Sequence, residues 1–220
     1  MKPSFKLETF VISSSALFGA LAAVLTLLPL SFPFPLIPYL KFDLAEIPVI
    51  VAFLLYGPVP SLVSAFVYWF VLNFVGSFVP IGPFLKFLAV ISMIAGMQIG
   101  ALIYKGLFTS KASFITLIVG LGALVRIVVL TFANYVVIWI LFPSFFDFAS
   151  KSLANALGWG FSSSIEALLF VLIFTAIFNA LHTLLSIAPS YVITGYAVVR
   201  VAASKMRSAW VVRFVKKEYS

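Results

Sequence analysis

Apolar positions come in long unbroken runs, and the breaks between them are short and rich in proline, glycine and charge. Runs at 9–28, 61–78, 84–104, 114–142 and 161–187 are each long enough to be helices crossing a hydrocarbon core about 30 Å thick, which takes roughly 20 residues. A further run, about 45–55, is too short to cross upright and predicts a short or tilted helix packed among its neighbours. Gly57-Pro58-Val59-Pro60, Gly76-Ser77 with Pro80-Ile81-Gly82-Pro83, Lys105-Gly106, Pro143 and Pro189 mark the ends of runs. The pattern predicts an all-α membrane protein of six transmembrane helices over residues 1–189. A basic tail, 190–220, then leaves the bilayer and lies along its surface.

One break differs from the rest. Between Leu28 and Tyr39 stand Pro29, Pro33, Pro35 and Pro38, and proline removes a backbone donor and clashes with a preceding helical turn. Lys41, Asp43 and Glu46 follow within six residues, and Pro48 lies just inside the short apolar run. The stretch 31–58 therefore reads as a lid over a pocket between helices. Its three charges are expected at the water interface, shaping and anchoring the lid.

Composition narrows the class. The chain is 64% hydrophobic and 9% charged, its mean hydropathy is +1.22, and a soluble domain is about 25% charged. There is no cysteine and one histidine, which excludes disulfides, thiolate metal sites, multi-histidine metal sites and a cysteine nucleophile. The first run is too long, and lacks the small-residue cleavage signature, for a removable signal peptide.

The net charge of +8 is explained by where the charges stand. Six spans place both termini on one side. That side collects Lys2, Lys6, Lys105 and Lys111, with Arg200, Lys205, Arg207, Arg213, Lys216 and Lys217 of the tail. Lys41, Lys86 and Lys151 fall opposite. The positive-inside rule puts both termini in the cytoplasm and the lid outside, at a cell membrane. Anionic lipid accounts for the basic excess, and no nucleic-acid partner is expected.

Polar side chains inside the runs are the candidates for chemistry, because burying them in hydrocarbon is expensive. Lys86 either reaches the interface or faces a pocket. Arg126 and Glu166 read as structural, Glu166 through a pair with Lys86 or Lys151. Asn134 and Asn179 are neutral amides with donors and acceptors, suited to a heterocycle or polyol, and also able to bond between helices. His182, three residues beyond Asn179, shares its face. Tyr39, Phe42, Phe84, Tyr135 and Trp139 offer rings for stacking. No nucleophile–base pair, Walker A sequence or internal repeat is present, so no enzyme activity is expected. On the first run, Ala16 and Ala20 form a small-residue face, as do Gly19 and Ala23, for close approach by another helix or a partner subunit.

Four ordered segments resemble one family. YLKFDLAEIPVIVAFLLYGP (39–58), PIGPFLKFLA (80–89), LVRIVVLTFANYVVIWILFP (124–143) and IFNALHT (177–183) are similar to segments of the riboflavin-specific S components of energy-coupling factor (ECF) vitamin transporters. The resemblance covers about 10–187. It implies a six-helix subunit that binds its vitamin from outside under a loop joining helices one and two. Such a subunit needs no cofactor and delivers its ligand with a coupling transmembrane protein and ABC-type ATPases. Transferred residue by residue, the ligand set is Tyr39, Leu40, Phe42, Asn134 and Asn179, and Ala16 and Ala20 meet the coupling protein. Three positions depart from the family: Lys86 stands for Asn, His182 for Lys and Thr183 for Gly. Either Lys86 and His182 complete the ligand set by other means, or the ligand differs from riboflavin. The alternatives are an S component for a pyrimidine or thiamin precursor, and a membrane enzyme or assembly factor.

Overall fold

The computed structural model describes residues 5–28, 30–107, 110–201 and 210. Helix α1 (Phe5–Leu27) leads into a hairpin of β1 (Phe32–Phe34) and β2 (Ile37–Phe42). Next come α2 (Glu46–Tyr56), α3 (Pro58–Val75), α4 (Ile81–Leu107) and α5 (Lys111–Asn134). A seven-residue π-helical segment (Tyr135–Leu141) extends α5, and α6 (Pro143–Leu157) and α7 (Ser164–Val201) complete the order.

Among the described residues, four helical stretches are long and apolar enough to cross a membrane: Pro58–Val75, Ile81–Tyr104, Ala112–Leu141 and Ser164–Ala197. Val11–Leu27 and Glu46–Tyr56 are shorter apolar helices. Large apolar side chains point outward along these helices, including Phe66, Phe70 and Phe74 on α3 and Leu169, Ile173 and Ile177 on α7. That surface suits lipid rather than water.

The short helix α2 is the axis of the bundle. Glu46 through Leu55 are all buried, and α1, α3 and α7 pack around it. With helices on every side, it can be apolar all round and still be short. Gly57 ends it with φ at 94°, a left-handed conformation that admits glycine readily. Pro58 then begins α3, where its missing N–H costs nothing. The Trp210 backbone N–H donates to the Leu55 carbonyl at 2.8 Å, and its ring meets Phe53 edge-on at 4.7 Å.

Helices α4 and α5 touch backbone to backbone. A Cβ on Gly96 would collide with the Leu121 carbonyl oxygen, and one on Gly100 would lie 2.6 Å from that of Leu117. On α1 the two small faces separate. Gly19 lies against Val67 of α3 and Ala23 is buried, whereas Ala16 and Ala20 are exposed.

Four expectations change. The lid is a β-hairpin, so the fold is not wholly helical. The register is Phe32 with Phe42 and Pro33 with Lys41, with an irregularity between Pro33 and Phe34. Each strand of a two-stranded ribbon has a free edge, where proline's missing donor costs no ladder bond.

The connector after Pro143 is the amphipathic helix α6, with Phe146, Ala149 and Leu153 buried. Proline ended one helix and occupied the first turn of the next. Helix α7 does not stop before Pro189 but runs through it to Val201. One backbone bond is lost there, and side-chain bonds to α2 hold the helix across the gap. Ser186 donates to Glu46 at 2.8 Å, and Ser190 donates to the Ile47 carbonyl at 3.1 Å.

Glu166 pairs with neither lysine. It caps α7, accepting from the Ser162 N–H at 2.6 Å. Of the expected tail, Lys205, Arg207, Arg213, Lys216 and Lys217 lie outside the described residues, as does Lys2.

Candidate functional site

A cavity of about 260 Å³ lies under the hairpin, between the ends of α1 and α3 and the facing stretches of α4, α5 and α7. Helical spacing delivers its walls. Arg126, Leu130, Asn134 and Ile138 recur every four residues along α5 and its π-helical extension, and all line it. Phe178, Asn179 and His182 present one face of α7. Tyr39, Leu40, Lys41 and Asp43 come from the lid, and Lys86 from α4.

Tyr39, Leu40, Lys86, Asn134, Asn179 and His182 are thus brought together around one space. Phe42 is not among the lining residues. It is buried, 4.6 Å from the Phe178 ring and 5.6 Å from His182, and so holds the hairpin down on α7. Ala16 and Ala20 lie on the outer face of α1, away from the cavity. Of the rings expected to stack, Trp139 packs on Phe146 at 5.1 Å, and Phe84 is exposed. Of the five expected rings Tyr39 alone lines the cavity, and Phe78, Phe145 and Phe178 supply the rest of its aromatic lining.

The polar floor is an ion-pair cluster. Arg126 is 1% exposed and Glu46 2%, and the guanidinium meets the carboxylate at 2.6 Å and 3.0 Å through two nitrogens. This fork-on-fork geometry makes a buried charge tolerable. Glu46 is therefore a floor residue and not a charge at the water interface. Asp43 is also buried. It accepts from the Ala45 N–H at 3.0 Å and forms an ion pair with Lys86. Of the three lid charges only Lys41 is exposed.

Lys86 thus ties lid to α4, while the His182 ring touches the Asp43 carbonyl at 3.2 Å. The Asn134 amide nitrogen donates to the Leu130 carbonyl at 2.8 Å, which leaves its carbonyl oxygen available. The buried Tyr39 hydroxyl has no partner among the described residues. Burial raises the pKa of this lid phenol above its ordinary value, keeping it a neutral donor.

Sequence reading missed Arg126, Asp43 and Glu46 as members of the site. A signal was present. An arginine inside an apolar span needs a carboxylate at the same depth, and Glu46, at the head of a wholly apolar run, was the best placed acid.

The arrangement suits binding more than bond-making. Glu46 and His182 are engaged in the cluster, and no group of three metal-ligating side chains occurs among the described residues. An apolar, aromatic wall faces a few fixed polar groups, as in small-molecule sites.

Known proteins agree with that reading. The family model for the substrate-specific component of ECF transporters matches residues 11–203. The riboflavin transporter RibU of Staphylococcus aureus (strain TCH60) is 34% identical over 137 residues, covering 61% of this chain and 68% of that protein. The riboflavin transporter FmnP of Bacillus subtilis (strain 168) is 32% identical over 157 residues, covering 67% and 78%. A solved structure of the S component of a bacterial ECF transporter superposes with a TM-score of 0.53 at 26% identity, covering 79% of this chain and 98% of that one.

Proposed function

The chain belongs to the substrate-specific components of ECF transporters, and on that premise we propose that it binds riboflavin, or a closely related flavin, in the cavity under the hairpin. The observation that carries this reading is the convergence of Tyr39, Asn134 and Asn179 on one space walled by Phe78, Phe145 and Phe178. Aromatic faces suit a flat ring system, and amides and a neutral phenol suit its carbonyls and a polyol chain. The two riboflavin transporters among its relatives support the same ligand. Lys86 and His182 join the site by holding the lid through Asp43.

In this reading six helices cross the cell membrane with both termini in the cytoplasm. The lid faces outside, and the basic segment after Pro189 lies on the inner surface. Riboflavin is cargo, not a cofactor. Delivery inward uses a coupling transmembrane protein and ABC-type ATPase subunits, with Ala16 and Ala20 as the docking face.

Two variants test the halves of this reading. Asn134→Ala removes an amide whose oxygen faces the ligand. It is expected to weaken riboflavin binding by roughly 1–3 kcal/mol, read by titration of purified protein, and unchanged affinity would remove Asn134 from the site. Ala20→Leu roughens the exposed face of α1 without reaching the cavity. Riboflavin affinity should stay within about twofold, because surface changes cost little, while uptake into cells should fall strongly. Full uptake would place the docking face elsewhere.

A further inference from the structure

We propose that Arg126 is a positioning residue that dictates which atoms of Asn179 and His182 act as donors, so that the cavity floor selects ligands presenting an acceptor to Asn179. A guanidinium has five N–H donors and no acceptor. Here all are directed at protein groups. Nε donates to Asn179 Oδ1 at 3.2 Å. One terminal nitrogen meets Glu46 Oε2 at 2.6 Å and the Met93 sulfur at 3.6 Å. The other meets Glu46 Oε1 at 3.0 Å and His182 Nδ1 at 3.2 Å. Arg126 reaches the cavity wall with no donor left for a ligand, and acts through its neighbours.

Whatever faces a guanidinium N–H must accept. Asn179 therefore turns its oxygen to Arg126 and carries its amide nitrogen on the other side. One N–H of that nitrogen goes to the Thr175 carbonyl at 2.9 Å. The second belongs to a residue that lines the cavity.

His182 must accept at Nδ1, so its proton sits on Nε2, 3.2 Å from the Asp43 carbonyl. That tautomer is fixed by the network and not by the ring itself. Glu46 locks Arg126 in turn, with Ser186 donating to the same carboxylate at 2.8 Å. One arginine thus sets the polarity of the floor and the tautomer that fastens the lid. The inference deepens the flavin reading and rests on it for the ligand, whose ring carbonyls supply the acceptor.

The chain has a single histidine, so nitrogen-15 NMR of histidine-labelled protein in detergent reports His182 alone. At neutral pH the expected spectrum has a pyridine-type Nδ1 and a pyrrole-type Nε2. Arg126→Lys, which keeps the charge and loses the fork, should mix the tautomers. A protonated ring or an Nδ1–H tautomer in the parent would overturn the inference.

The second readout compares riboflavin with 2-thioriboflavin and 4-thioriboflavin, in each of which sulfur, a weaker acceptor, replaces one carbonyl oxygen. The parent should prefer riboflavin over at least one analogue by about tenfold. Arg126→Lys, and the paired variant Glu46→Gln with Arg126→Met, should reduce that preference to below about threefold. A merely structural role would weaken all three ligands alike and leave the preference intact, which would also overturn the inference. A parent that binds none of the three counts against the flavin reading instead, and the histidine spectrum then decides the role of Arg126 alone.

Discussion

Glu46→Ala should be the most damaging single substitution in this chain, costing about 3–5 kcal/mol of stability. The carboxylate is 2% exposed and is held by Arg126 and Ser186. Removing it strands a guanidinium in the middle of the bundle. An unpaired buried charge costs more than the pair ever contributed, because desolvation is no longer offset. Replacing both partners, Glu46→Gln with Arg126→Met, should therefore recover most of the loss. The measurement is thermal unfolding in detergent, followed by size-exclusion to score the monodisperse fraction. A Glu46→Ala protein as stable as its parent would show that the cluster is wet or unpaired.

Gly96→Val should come next, losing about 1–3 kcal/mol or more through overpacking. The collision is with backbone, since the added Cβ meets the Leu121 carbonyl oxygen. No side-chain rotation can relieve that, so α4 and α5 have to move apart. These two helices carry Lys86 on one side and Arg126 with Asn134 on the other, so separating them should weaken ligand binding as well as stability. Gly120 supplies the control. A Cβ there meets nothing within 4 Å, so Gly120→Ala should fall within about 0.5 kcal/mol of the parent. Equal losses at the two glycines would argue against the close crossing.

What the sequence made legible follows a physical divide. Spans and their breaks depend on local composition, and the four long apolar helices lie where the runs lie. The same holds for Asn134 and Asn179: an amide in an apolar run has few places to go, and both line the cavity. Proline was ambiguous because its effect depends on position. Pro143 starts a helix, Pro33 and Pro38 sit in a ribbon with free edges, and Pro189 is carried inside a helix braced by Ser186 and Ser190.

Long-range pairing was legible only as a requirement: Arg126, inside an apolar span, needs a carboxylate at its depth. Glu46 and Arg126 stand 80 residues apart, and no local pattern reveals that a charge at the end of a lid turns inward. Phe42 shows the limit in one residue. Its motif position suggested the ligand, and burial against Phe178 and His182 gives it to the protein's own core.

Titration of riboflavin with the purified protein decides whether the cavity under the hairpin holds a flavin. Flavin fluorescence is quenched when the ring stacks on aromatic side chains such as those that wall this cavity. A flavin held there gives saturable quenching with a sub-micromolar dissociation constant, roughly −8 kcal/mol or tighter. No quenching at micromolar protein would contradict it.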